Sequence, residues 1–210
     1  MKELLTRQSC HAFSEKLASK APVPGGGGAA AMIGALAAAL GTMAARLSLG
    51  TKNLLPFEQD HRRIIRRTNA LRRRLLALTE EDAAAFEPLS RAYSLDKNAP
   101  DYAEVMTAAT LGAAQTPFAM MQRCCELIEL LEELREKCSA LLLSDVGCAA
   151  AAGRAALECA AMNVFVNTRL LPENGRAREL AAEAETMLRE YIPRAQALAD
   201  SVTDLLRKPK

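Results

Sequence analysis

Residues 22–43 read PVPGGGGAAAMIGALAAALGTM, so four consecutive glycines lead directly into a long run of small and apolar residues. Glycine loses more backbone freedom on folding than other residues, and a run of four is therefore costly unless chain or ligand approaches the backbone closely. The free N–H groups of the helix that follows would face whatever occupies the loop. The segment therefore indicates a ligand site at the start of a helix.

The rest of the chain favours helices. The 210 residues are half hydrophobic, contain no Trp and only 4% aromatic residues, and are too few for more than one large core. Pro and Gly interrupt the helical periods at four places, which predicts about six helices. We expect an all-α, multihelical bundle that forms a single domain over residues 1–210. Residues 1–20, about 57–93 and about 101–139 are three of the predicted helices.

Composition also limits the partners. The chain carries 27 basic and 25 acidic residues, so no overall field attracts nucleic acid or an anionic membrane. Six cysteines without a CxxC pair, and two histidines at no metal-ligand spacing, argue against a metal site. Residues 21–45 are uncharged, but the part after the glycines is Ala-rich and short for a membrane span. With no visible signal sequence, we expect a cytoplasmic protein with reduced thiols.

The helix after the glycines has two apolar sides. At 100° per residue, the larger side chains fall together at Ile33, Leu36, Leu40, Met43 and Leu47. The small residues fall roughly opposite, at Ala30, Gly34, Ala38, Gly41 and Ala45. Because both faces are apolar, we expect this helix to be buried on all sides.

Asp82 interrupts the apolar stripe of the helix predicted at about 57–93. The stripe comprises Ile64, Thr68, Leu71, Leu75, Leu78, Phe86, Leu89 and Tyr93. A buried carboxylate there would have a raised pKa, suited to proton transfer near neutrality. Alternatively, the stripe ends locally and Asp82 pairs with an arginine. The residues alone do not decide between these two interpretations.

Two further patterns concern partners. Seven arginines lie within residues 62–74 and five glutamates within residues 126–136, which indicates that the two segments pair in a hairpin or across a dimer. Asn163 and Asn167 lie one helical turn apart and can jointly hold an amide-bearing ring, or can bond a neighbouring helix instead.

Three segments resemble the cyclodeaminase/cyclohydrolase family of folate one-carbon metabolism, which includes the C-terminal domain of formiminotransferase-cyclodeaminase. They are APVPGGGGAAAMIGALAAALGTM from Ala21, EEDAAAFEPLSRAYSLDK from Glu80 and SDVGCAAAAGRAALECAAMNVFVN from Ser144. The resemblance implies a homodimer formed through a helical hairpin, a tetrahydrofolate derivative as substrate and no permanently bound cofactor. It implies formimino-tetrahydrofolate cyclodeaminase activity first, with methenyl-tetrahydrofolate cyclohydrolase as the alternative.

The resemblance also assigns roles to residues. Asp82 is expected to be catalytic, Gly25, Gly26, Gly27 and Gly28 to form a wall against the folate, Lys97 to meet a carboxylate, and Asn163 with Asn167 to hold the pterin edge. Two positions differ from the common family pattern. Gly28 replaces a serine in PGGGS, and Asp96 replaces a proline in LPK. A non-catalytic folate-binding or helical assembly protein is therefore a further alternative.

Overall fold

The structure is a computed structural model that describes residues 4–208, and these residues form helices without a strand. The six α-helices are α1 (Cys10–Leu17), α2 (Gly26–Ser48), α3 (Glu58–Ala92), α4 (Tyr102–Lys137), α5 (Leu143–Thr168) and α6 (Gly175–Arg207). Short 3-10 helices lie at Leu5–Arg7, Lys52–Phe57 and Ala140–Leu142. The prediction of an all-α bundle of about six helices is confirmed. The prediction of one helix over residues 1–20 is wrong, since α1 has only eight residues and residues 1–3 lie outside the described range.

Helix α2 lies between α3 and α5, and α4 packs behind these three helices. Helix α6 packs on α5 and α4. The largest buried side chains come mainly from α3 and α4, including Leu75, Met120, Met121 and Ile128. This arrangement places the beginning of α2 between the second half of α3 and the last turns of α5.

The small face of α2 is buried as predicted. A Cβ atom added at Gly34 would lie 3.3 Å from the Leu75 side chain of α3 and 3.4 Å from both Cys124 of α4 and Ala156 of α5. Three helices therefore approach the α2 backbone at this level. Such close approach is possible because small residues leave the backbone uncovered.

The opposite face of α2 is only partly buried, which corrects the expectation from the sequence. Leu36 is 59% exposed and Leu47 is 60% exposed, while Met43 is exposed to a smaller extent. We call Ile33, Leu36, Leu40, Met43 and Leu47 the outer face of α2. Helices α3 and α5 cover the two flanks of α2, and within the outer face Ile33 and Leu40 are partly buried against the core while Leu36, Met43 and Leu47 are exposed.

The arginines of α3 and the glutamates of α4 pair within the chain. Arg67 donates to Glu126 at 2.8 Å, and Arg63 pairs with Glu133. These contacts align α3 and α4 as a hairpin. Because the side chains are partly exposed, each pair contributes at most about 1 kcal/mol.

Prolines in the long helices do not end them. Helix α3 continues four residues past Pro88 to Ala92, and α4 contains Pro117. The apolar stripe of α3 is buried at most of its predicted positions, but Tyr93, just beyond the end of the helix, is 54% exposed. Gly26–Ser48 and Ala140–Thr168 are each apolar and long enough to cross a membrane, but 61% of the apolar stretch in the first segment and 39% of that in the second are buried inside the protein. Core packing therefore accounts for much of the apolar character of α2.

Candidate functional site

A pocket lies where the start of α2 meets α3 and α5. Its polar groups are Asp82 from α3, Asn163 and Asn167 from α5, and the backbone of the glycine run. Its apolar walls are formed by Pro22, Val23, Phe86, Ala113, Pro117 and Val166. A cleft with apolar walls and a few convergent polar groups is the usual form of a small-molecule site.

Asp82 is the titratable side chain of this pocket. It is partly buried, and burial raises its pKa from 3.8 to about 6. The backbone N–H of Gly28 donates a hydrogen bond to Asp82, which lowers the pKa and partly opposes the effect of burial. The arginine that lies closest in helical spacing, Arg74, pairs with Glu81 instead. The structure therefore favours the interpretation of Asp82 as a proton-transfer group over that of an arginine-paired carboxylate.

The glycine run forms the first turn of α2. Gly25 is the residue before the helix and Gly26 is its first residue, whereas the sequence placed the whole run in the preceding loop. Gly25, Gly26 and Gly27 line the pocket. Gly28 does not, because a Cβ atom added there would point toward Pro24, at 3.1 Å from its Cβ, and toward Thr79. A serine hydroxyl at this position would thus extend away from the pocket.

The two asparagines line the pocket, and the amide nitrogen of each is bonded to the backbone of α5. Asn163 donates through Nδ2 to the Cys159 carbonyl at 2.8 Å, and Asn167 donates through Nδ2 to the Asn163 carbonyl at 2.8 Å. These bonds fix the orientation of both carboxamides, because an oxygen in place of either nitrogen would face a carbonyl oxygen. Both Oδ1 atoms remain as acceptors.

Lys97 lies apart from this pocket. It is exposed in the segment between α3 and α4 and does not line the cavity. Its role toward a carboxylate stays a prediction. Sequence reasoning did not identify Val23, Pro117 and Val166 as lining residues, because each depends on which helices meet. The position of Val23 beside the glycine run was the one available signal.

The described residues contain no group of three His, Cys, Asp or Glu side chains that could hold a metal ion. The polar groups of the pocket are the carboxyl group of Asp82, the carboxamides of Asn163 and Asn167 and the backbone of the glycine run.

The model of the formiminotransferase-cyclodeaminase family matches residues 9–186, which include every residue that lines the pocket. The chain belongs to this family. A methenyltetrahydrofolate cyclohydrolase from Methylorubrum extorquens is 36% identical over 187 residues, which cover 87% of this chain and 90% of that relative. The formimidoyltransferase-cyclodeaminase of Rattus norvegicus is 27% identical over 198 residues, which cover 92% of this chain but 37% of the rat protein.

A solved structure has the same architecture. The formiminotetrahydrofolate cyclodeaminase from Thermotoga maritima superposes with a TM-score of 0.83 at 26% identity, covering 94% of this chain and 98% of that one. The relatives thus carry two different activity names, both of folate-dependent enzymes. The chain is a folate one-carbon enzyme of the cyclodeaminase/cyclohydrolase type.

Proposed function

We propose that the protein is a methenyl-tetrahydrofolate cyclohydrolase. The sequence alone placed cyclodeaminase slightly ahead. The Methylorubrum extorquens relative, which is named a methenyltetrahydrofolate cyclohydrolase, has a higher sequence identity to this chain than the rat cyclodeaminase has, and the match covers most of both chains. The observation that carries the proposal is the partly buried Asp82 beside Gly27 in the pocket between α2, α3 and α5. A surface position away from the glycines would have argued against catalysis.

Asp82 has the protonation behaviour that this reaction requires. With a pKa of about 6, it is mostly ionised at neutral pH yet is a stronger base than an exposed aspartate. It takes a proton from water as the water oxygen bonds to the bridging methenyl carbon. It then returns the proton to N5 as the bond between that carbon and N5 breaks. The new hydroxyl loses its proton to solvent and becomes the formyl carbonyl, so one water is consumed and one proton is released.

The asparagine oxygens suit the pyrimidine edge of the pterin. That edge carries N–H donors, and Asn163 and Asn167 each present an Oδ1 acceptor from one face of α5. Val23, Phe86 and Pro117 supply apolar surface for the rings. Gly25 and Gly26 form a wall without side chains, which lets the ligand approach the backbone of α2.

The proposal is tested by adding purified protein to methenyl-tetrahydrofolate and following the loss of its near-ultraviolet band, with the spontaneous rate subtracted. We expect the wild type to accelerate the loss and Asp82→Asn to reduce kcat by about 10² to 10⁴-fold. Full activity in the Asp82→Asn variant would contradict the mechanism, and no acceleration by the wild type would contradict the function.

Cyclodeaminase is the second candidate, because the whole-chain structural match is to a protein with that name. In this reaction the anilino nitrogen of formimino-tetrahydrofolate attacks the formimino carbon, and Asp82 protonates the departing amine. Incubation with formimino-tetrahydrofolate distinguishes the two activities. Appearance of the methenyl band and release of ammonia would assign cyclodeaminase.

We also propose that the protein works as a homodimer through the outer face of α2. Large exposed apolar side chains in one stripe are typical of an interface, and a two-fold axis allows such a stripe to cover itself. Of the two arrangements predicted for the arginines of α3 and the glutamates of α4, a hairpin or a dimer contact, Arg63 and Arg67 form the hairpin pairs within one chain. Sedimentation analysis of Leu36→Ser should show more monomer than the wild type. Leu206→Ser is the matched control, since Leu206 is also 59% exposed but lies on α6.

The proposed location is the cytoplasm. All six cysteines are free, and Cys124 and Cys125 are buried next to each other in α4 without a disulfide. Six cysteines without a disulfide are typical of a protein in a reducing compartment. Neither a nucleic acid nor a membrane is part of the proposed function.

A further inference from the structure

The first turn of α2 has a different contact at each glycine. A Cβ atom added at Gly26 would lie 3.3 Å from Asn163 Nδ2, and one added at Gly27 would lie 2.7 Å from both Cγ and Oδ2 of Asp82. The backbone N–H of Gly28 donates to Asp82. The carboxyl group of Asp82 therefore rests directly on the backbone of this turn, in the space that a side chain at residue 27 would occupy.

We propose that Gly27 is the residue that positions Asp82, and that the glycine is required there for the carboxyl group rather than for the ligand or the backbone conformation. No described glycine of α2 has a positive φ angle, so backbone conformation does not require glycine at residue 27. The limit on van der Waals contact does require glycine there, because real Cβ atoms do not approach other heavy atoms closer than about 3.0 Å.

An added methyl group would displace Asp82 without unfolding the site. The atoms that it meets are the end of a short side chain, which can turn about χ1 and χ2, and not the backbone of α3. Alanine is also a better helix former than glycine. We therefore expect Gly27→Ala to keep α2 intact while Asp82 loses both its place in the pocket and the hydrogen bond from Gly28.

The consequence for catalysis rests on the proposed function. In the cyclohydrolase assay, Gly27→Ala should lower kcat by about a hundredfold, since a misplacement of about 1 Å has an effect of that size. KM should change less than about threefold, because the asparagines and apolar walls are unaltered. Gly112→Ala is the matched control, since Gly112 lies inside α4 with no heavy atom within 4 Å of an added Cβ, and it should leave kcat unchanged.

A double variant separates positioning from direct contact with substrate. If Gly27 acts through Asp82, Gly27→Ala combined with Asp82→Asn should be as active as Asp82→Asn alone. A further loss of tenfold or more in the double variant would show that residue 27 acts on its own and would overturn the proposal. Wild-type kcat in Gly27→Ala would overturn it as well.

A second measurement does not depend on turnover. The free energy of unfolding should vary with pH between about 4 and 8 because Asp82 titrates in this range, and displacement of the carboxyl group should change that variation. We expect a different pH profile in Gly27→Ala and the wild-type profile in Gly112→Ala. A wild-type profile in Gly27→Ala would overturn the positioning role. If the wild type has no folate activity but Gly27→Ala alters the profile, the proposed function fails while the contact between Gly27 and Asp82 stands.

Discussion

Replacement of Asp82 by asparagine should stabilise the protein at neutral and higher pH while it reduces activity. Burial raises the folded-state pKa of Asp82 from 3.8 to about 6. Below pH 3.8 the group is protonated in both states and has no effect on stability. As the pH rises from 3.8 to 6, the unfolded chain releases the proton before the folded protein does, so the folded state becomes less favoured. Above pH 6 the free energy of unfolding has been lowered by the full amount, which is about 3 kcal/mol.

An asparagine has no such pH dependence and can still accept the hydrogen bond from Gly28. The difference in unfolding free energy between Asp82→Asn and wild type should therefore grow by about 2 kcal/mol between pH 4.5 and pH 8. Urea denaturation at a series of pH values measures it. Asp204→Asn, which removes a carboxyl group from an exposed position of α6, is the matched control. A difference for Asp82→Asn that stays constant with pH would refute the argument that burial perturbs this carboxyl group.

Other predictions follow from packing and exposure. Gly147→Ala should destabilise the protein by about 1–3 kcal/mol in urea denaturation, because the new Cβ would lie 2.9 Å from Cγ1 and 3.2 Å from Cβ of Val202 in α6. Gly112→Ala should stabilise it by about 0.5–1 kcal/mol, and an equal effect of the two substitutions would contradict the packing. In thiol titration, Cys10 and Cys148 should react quickly because they are exposed. Cys124 should react only on unfolding, since burial raises its pKa well above the usual range, and rapid reaction of all six would be inconsistent with the core.

The sequence predicted where the long helices begin and end better than it predicted which of their faces are buried. The long helices α3 and α4 were located within about two residues, because their apolar period is regular and their ends carry Pro or Gly. The exposure of Leu36 and Leu47 was not predictable, since periodicity shows that a face is apolar but not whether another helix covers it. A glycine run looks like a loop in sequence, yet here Gly26, Gly27 and Gly28 form the first turn of α2.

The candidate site was predicted in part. Asp82 was identified from the residues as an anomaly in an apolar stripe, and the family resemblance assigned it and the glycine run to one folate site, but the contact of its carboxyl group with Gly27 was not predicted. The two asparagines were correctly placed on one face of α5, and the pocket that they share with Asp82 requires four helices, α2, α3, α4 and α5, to meet. Contacts of that kind depend on tertiary packing, which local patterns do not contain. Lys97 was predicted from a motif, and the structure places it outside the pocket.

The pH dependence of methenyl-tetrahydrofolate hydrolysis tests the central claim most directly. If Asp82 is the general base, kcat/KM of the wild type should rise with pH as a group with a pKa of about 6 ionises, after subtraction of the spontaneous reaction. The Asp82→Asn variant should lose this rise together with most of its activity. An Asp82→Asn variant that keeps both the activity and the same pH dependence would contradict the assignment of the reaction to this carboxyl group.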